Sequence, residues 1–306
     1  MKSEDDKLVR FISISESHQA FGLPAPQHPL ISLVHFNKDN PSNTAMTPIY
    51  DILSFYKITL IISNKGRLKY GRNYYDYDEG SMLFLAPDQL VGNTDYNSEI
   101  YCYILLIHPD FLLGHPIARK IKQYSYFSYA SNEALHLSDS EKEVISVYRI
   151  MEQELNSRVD EFSQEVIIAQ LELLLSYVIR FYKRQFITRK VANNDTLQKT
   201  ESILEDYLNN QLSLQQGLPT MQYVADQLNI SSGYLSDLLR SLIGQNAQQY
   251  IRRKVIEKAK ERLTNTNLTV AEIPYELGFE HPQSFSKMFR IRTGLSTLEF
   301  RNTFNS

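Results

Sequence analysis

The feature that most constrains this chain is a pattern that occurs twice in its last third. Met221–Leu228 reads as a short helix with small Ala225 on its inner face. Asn229-Ile230-Ser231 then turns the chain, Asn tolerating the left-handed backbone that such a turn needs. Ser231 or Ser232 caps the next helix, where Leu235, Leu238, Leu239 and Leu242 fall at i, i+3, i+4 and i+7 and pack inward. The face left outside carries Gly233, Ser236, Asp237 and Arg240. The second copy opens at Thr269 as N-cap, runs through Val270–Leu277, turns at Gly278 and plugs its core with Phe279. Its following helix sends Phe285, Met288 and Phe289 inward and shows Gln283, Ser284, Lys287 and Arg290.

A short helix, a tight turn and a second helix form the geometry that lays the second helix into a major groove of duplex DNA. A connecting helix from about 248 to 263 holds Arg252, Arg253, Lys254, Lys258, Lys260 and Arg262. Base readout is expected from Gly233, Ser236, Asp237, Gln283, Ser284 and Lys287, and phosphate contact from Arg240, Arg252, Arg253 and Arg290.

These residues carry a resemblance. Leu277-Gly278-Phe279, then Gln283-Ser284-Phe285-Ser286-Lys287-Met288-Phe289-Arg290 and Thr293-Gly294, resemble the signature of AraC/XylS regulators. Tyr234-Leu235-Ser236-Asp237-Leu238-Leu239-Arg240, with Gly244 and Tyr250-Ile251, looks like the matching first unit, so the likeness spans about 197 to 302. It implies a transcription regulator that binds double-stranded DNA, with RNA polymerase as a further partner and a cupin-like N-terminal domain that senses a small molecule. The chain departs from that pattern at four places. Thr297 stands where the family usually has Pro, Val255 where Arg is usual, and Pro274 where Ala is usual, which predicts a bent helix. Asp237 stands where Arg or Lys often faces the groove; a carboxylate there repels phosphate but accepts from cytosine N4.

The front of the chain has a different texture. Ile58–Ile62, Leu68–Tyr70, Tyr74–Tyr77, Ser81–Pro87 and Ile100–Ile107 are short apolar runs punctuated by Ser63-Asn64-Lys65-Gly66, Gly71-Arg72-Asn73 and Asp78-Glu79-Gly80. Closely spaced strands and turns predict an antiparallel β-barrel or jelly roll over residues 1–137. Phe55, Tyr70, Phe84, Tyr101 and Tyr103 would line its effector pocket. Residues 138–190 read as a helical dimerisation segment, with one helix from the Ser138 cap to about Asn156 and another over Phe162–Ile187. The second is apolar over so wide an arc that more than one side must be covered. A homodimer through Leu171, Leu174 and Val178 is one reading, and burial within one subunit is the other. Polar residues 191–196 read as a linker, leaving 197–306 as an all-α domain.

Charge and motifs narrow the function classes. Net charge is −3, yet Ser231–Ser306 holds 11 Lys and Arg against 7 Asp and Glu, so that end is +4 and the remainder −7. The one cysteine, Cys102, lies in an apolar run and reads as an inert buried thiol. No apolar stretch reads as a secretory signal or membrane helix, which predicts a cytoplasmic protein. There is no G-x-S-x-G, P-loop, G-x-G-x-x-G, H-E-x-x-H or C-x-x-C, and the His and Glu are unclustered. The chain is therefore expected to be no enzyme, and to hold no metal or cofactor. Two alternatives stay open for the front domain: that it only dimerises or binds a protein, or that it is a metal-free barrel enzyme with a DNA-binding appendage.

Overall fold

The computed structural model describes residues 8–36, 50–63, 68–70, 73–75, 80–92, 101–157, 160, 162–188, 190–210 and 212–304. It divides into two units, Met1–Gln185 and Phe186–Ser306. Of the expected turns at 63–66, 71–73 and 78–80, residues 64–66, 71–72 and 78–79 lie outside the described residues.

In the first unit the alternating runs become strands. These are β1 (Leu8–Phe11), β2 (Ile31–Phe36), β3 (Tyr50–Leu53), β4 (Tyr56–Ser63), β5 (Leu68–Tyr70), β6 (Asn73–Tyr75), β7 (Ser81–Leu85), β8 (Leu90–Gly92), β9 (Tyr101–Ile107) and β10 (Leu135–His136). They form a five-stranded sheet in the order β10-β7-β4-β9-β2, a three-stranded sheet β1-β3-β8 and the ribbon β5-β6. The five-stranded sheet is antiparallel throughout, with Ile58 opposite both Leu105 and Phe84. Of the expected barrel or jelly roll, the antiparallel sheet is present, and among the described residues the sheets do not close into a barrel. The free edges have a physical cause at β10, which is two residues long and pairs with β7 only at Ser81 and Met82.

Because side chains alternate across a strand, the sheet has two faces with different partners. Ile61, Cys102, Ile104 and Leu106 turn to one side, into a core with Phe11, Ile14, Leu53 and Phe55. Burial there pushes the Cys102 thiol up to about 12, as an inert thiol requires. Phe84 and Tyr103 turn to the other side, where helices cover them. Tyr103 stacks on Tyr148 of the helix Ile145–Asn156, and Phe84 lies 6.2 Å from the Tyr182 ring of the helix Ser163–Thr188.

The helices, in order, are α1 (Ile14–Ala20), α2 (Ile117–Lys120), α3 (Ile145–Asn156) and α4 (Ser163–Thr188). The helix expected from Ser138 begins as a 3-10 turn over Glu141–Val144 and becomes α-helical only at Ile145. Glu141 reaches back to the Ser138 N–H at 2.9 Å, so the capping carboxylate is present at the start of that turn. In α4, Leu171, Leu174 and Val178 are fully buried within the chain. They are therefore not an exposed interface, and the expected dimer contact through them is corrected: burial within one subunit takes those side chains.

The second unit comprises α5 (Lys190–Asn209), α6 (Leu212–Gln216), α7 (Met221–Leu228), α8 (Ser232–Ile243), α9 (Ala247–Asn265), α10 (Glu272–Glu276), α11 (Pro282–Thr293) and α12 (Thr297–Asn302). Residues 191–196 are helical within α5, which corrects the expected linker. No Gly or Pro interrupts them, and Asn193 donates back to the Phe186 carbonyl at 2.6 Å. A single core runs through both copies of the repeated pattern: Val224, Ala225, Leu235 and Leu239 from the first, Ile273, Leu277, Phe285 and Phe289 from the second. Tyr250, Ile251, Val255, Ile256, Ala259 and Leu263 of α9 lie in the same core, so this helix is buried on more than one flank.

Local chemistry explains the breaks. Asn229 ends α7 in the left-handed region at φ 55°, and Ser231 caps α8 through the Tyr234 N–H at 3.1 Å. Thr269 and Glu272 exchange capping hydrogen bonds ahead of α10, which hold the Glu272 carboxyl below its usual range. Ile273 donates to the Thr269 carbonyl at 3.3 Å, and Pro274, lacking an N–H, cannot continue that bonding to Val270 in this five-residue helix. Thr297 is the first residue of α12, a position that favours Pro for its fixed φ. The Ser296–Glu299 capping box holds the helix start without it.

Gly278 fixes how the second copy joins the rest. Its φ is +90°, and a Cβ there would lie 2.5 Å from the Gly217 carbonyl carbon and 2.8 Å from the Leu218 nitrogen. Gly294 is also left-handed, at φ +78°, but faces open space. Gly294→Ala should therefore cost about 1–2 kcal/mol, the left-handed penalty alone. Gly278→Ala adds overpacking against backbone and should cost about 2–5 kcal/mol in all. Thermal denaturation of the two variants checks this; equal losses would remove the close approach as a constraint.

Candidate nucleic-acid interface

The two outward faces differ in what their side chains already do. On α11, Gln283, Ser284, Lys287 and Arg290 are all exposed. Lys287 and Arg290 form no ion pair among the described residues, so both cations are available to an outside partner. Inward, Phe285 and Phe289 are fully buried and Phe279 packs edge-on against Phe285 at 5.3 Å, which locks the helix's rotation about its axis. Pro282 opens the helix at a position where a missing N–H is harmless.

On α8 only Arg240 is exposed; Gly233, Ser236 and Asp237 are half-buried. Asp237 and Arg240 face each other at 3.5 Å one turn apart, so the expected readout carboxylate and the expected phosphate contact engage one another. Ser236 donates back to the Ser232 carbonyl at 2.7 Å. The site residues expected on this face are thus brought together, but as a largely self-satisfied surface.

The basic residues of α9 divide in the same way. Lys254 binds Glu201 of α5 at 3.1 Å, and Tyr250, itself fully buried, donates to the same carboxylate at 3.1 Å. Partial burial works against ionisation of Glu201, but these bonds hold its carboxyl below the usual range. Lys258, nearly buried, pairs with Glu261 at 2.7 Å. Arg253 lies 5.0 Å over the Tyr250 ring and 3.8 Å from Glu257, so its expected phosphate role competes with contacts inside the domain. Arg252 is exposed and forms no ion pair among the described residues.

Arg252 and Lys287 line one groove of about 920 Å³, with Ser284, Gln248 and Arg292 beside them and Ile251, Val255 and Met288 at its base. Val255, where the family usually has Arg, is 1% exposed and belongs to the core under this groove. Sequence reasoning missed Gln248 and Arg292. Both lie one turn or less from residues it singled out, and helical spacing could have found them.

The aromatic residues expected around an effector do not converge. Phe55 is in the inner core of the first unit, while Phe84 and Tyr103 face the helices on the other side of the sheet. Tyr101 is half-buried beside His35, with ring centroids 4.8 Å apart. Tyr70 lies in the separate ribbon β5-β6. Alternation along β9 underlies part of this: Tyr103 takes the face opposite Cys102 and Ile104. Among the described residues no group of three or more His, Cys, Asp or Glu is placed to hold a metal, and no helix is long and apolar enough to cross a membrane.

Comparison with known proteins agrees with this geometry. A family model described as a helix-turn-helix domain matches residues 224–303. The HTH-type transcriptional regulator YfiF of Bacillus subtilis is 24% identical over 272 residues, covering 85% of this chain and 82% of its own. The HTH-type transcriptional activator AarP of Providencia stuartii is 32% identical over 98 residues, covering 32% of this chain and 67% of its own. Among solved structures, the C-terminal domain of a two-component response regulator from Fusobacterium nucleatum is 28% identical with a TM-score of 0.28. It matches 33% of this chain and 95% of that one. These relatives are named as regulators of transcription, not as enzymes. The chain belongs to the AraC/XylS family of DNA-binding transcription regulators.

Proposed function

We propose that this regulator reads its operator chiefly through α11, with α8 placed beside it for a weaker contact, and that its first unit senses a small molecule. The observation that carries the reading is the contrast between the two outward faces: Lys287 and Arg290 are exposed and form no ion pair among the described residues, whereas Asp237 and Arg240 engage each other at 3.5 Å. A lysine one turn from Gln283 suits guanine and adenine edges in the major groove. Arg252, across the groove from Lys287, suits phosphate.

Two substitutions separate these roles. Lys287→Ala should weaken operator binding by about 1–3 kcal/mol and relax preference at one base position. Arg252→Ala should weaken binding evenly across sequences and reduce the salt slope by about one. Fluorescence anisotropy at several salt concentrations reads both. Unchanged affinity and preference in the Lys287 variant would remove that residue from the readout.

The same reading includes a homodimer, on a face of α4 other than the one first expected. Phe162 is 59% exposed, Val166 39% and Leu173 47%, and with Ala169 they form a stripe at alternating spacings of four and three. RNA polymerase is the further partner such a regulator acts on. Leu173→Asp should yield a monomer by light scattering with its helical content intact; a variant that stays dimeric would place the interface elsewhere.

A further inference from the structure

The first unit holds a cavity that none of the expected pocket residues except Phe84 reaches. Its volume is about 390 Å³, and it opens along the edge of β7 that β10 leaves uncovered, at Leu83, Phe84 and Leu85. Four aromatic side chains line it: Phe84, Tyr126, Tyr129 and Tyr182. Their rings form one cluster. Tyr126 lies edge-on to Phe84 at 4.9 Å and stacks on Tyr182 at 5.8 Å, while Tyr129 meets Tyr182 edge-on at 5.2 Å.

Among the described residues that line the cavity, Glu133 is the ionisable side chain apart from the tyrosine hydroxyls, and none is Lys, Arg or His. Glu133 is 5% exposed, and one carboxylate oxygen accepts the Ala130 N–H at 2.7 Å. Its backbone carbonyl accepts the Tyr182 hydroxyl at 3.2 Å, which joins the acidic residue to the aromatic cluster. Gln89, the remaining polar side chain, spends its amide on the Ala86 N–H at 3.0 Å and the Phe127 carbonyl at 2.8 Å. Tyr126 is 4% exposed, and its hydroxyl has no hydrogen-bond partner among the described residues.

Aromatic faces attract cations through the ring quadrupole, and the attraction grows where water is excluded. A buried carboxylate beside them adds charge-assisted hydrogen bonding to an ammonium group. We infer that this cavity binds a small organic cation, an amine or a quaternary ammonium compound, held by the Phe84–Tyr126–Tyr129–Tyr182 cluster and by Glu133. The inference rests on reading the first unit as the sensing half of the regulator. Tyr182 also lies in the last two turns of α4, the helix that carries the chain out of the first unit, so a ligand here contacts that helix directly.

Calorimetric titration of the full-length chain tests this without reference to DNA. The probes are choline and phenethylamine, each paired with its neutral isostere, 3,3-dimethylbutan-1-ol and 2-phenylethanol. At least one cation should bind at least about tenfold more tightly than its neutral isostere. Glu133→Gln should erase that preference. Because Glu133 also caps a turn, Tyr129→Leu is the second variant: it keeps apolar volume, removes one ring and should weaken the cation selectively. Absence of binding by either cation, equal binding of cation and isostere, or an unchanged preference in a folded Glu133→Gln variant would overturn the proposal. Operator binding by the same preparation reports separately on the DNA-reading half, so failure of one does not count as failure of the other.

Discussion

The shared core around α9 is the interaction on which the DNA-binding half depends. Each copy of the repeated pattern is too small to bury its apolar face alone, and each leans on the same helix: Tyr250, Ile251, Val255, Ile256, Ala259 and Leu263 complete a core begun by both. Two short helical pairs thereby become one body, and the outward faces of α8 and α11 are fixed relative to each other by packing. The polar contacts reinforce this. Arg301 donates to the Leu263 carbonyl at 3.0 Å, tying α12 to the end of α9, and Tyr250 and Lys254 tie its beginning to Glu201 of α5.

Backbone geometry supplies the second constraint. The Gly278 turn passes so close to Gly217 and Leu218 that only hydrogen fits between them, and Ser213 donates a short hydrogen bond to the Glu276 carbonyl beside it. The segment ahead of the first copy is thus fastened to the turn of the second. Charge then distributes function over this frame. Cations on the inner flank of α9 are spent on Glu201, Glu257 and Glu261, while Arg252, Lys287 and Arg290 form no ion pair among the described residues.

The DNA-binding half was largely legible in the sequence because its signals are local. Asn229, Ser231, Gly278 and the i, i+3, i+4 leucines each report the conformation of their own neighbourhood, and the helices lie where those signals put them. The misreadings have a common cause: they concern relations that local pattern does not encode. Polarity at 191–196 looks like a linker, yet nothing there breaks a helix. Wide apolar coverage of α4 says that several sides are buried but not which one stays open, so Leu171, Leu174 and Val178 went inward and Leu173 outward. Aromatic density in the front domain does not tell which face of a sheet each ring takes, because a strand alternates with every residue and Phe55 and Phe84 lie in different layers. Nor does exposure follow from helical spacing alone on α8, where Asp237 and Arg240 find each other first.

The central claim is that one chain presents two helices as a single reading body, with α11 dominant. Hydroxyl-radical footprinting of the full-length protein, on a site selected from random DNA, tests it most directly. The account predicts two protected stretches per subunit about one helical turn apart, roughly 34–36 Å, on one face of the duplex. The stretch under α11 should be the one lost in the Lys287→Ala protein. A single short protected stretch per subunit, or protection unchanged by that substitution, would contradict it.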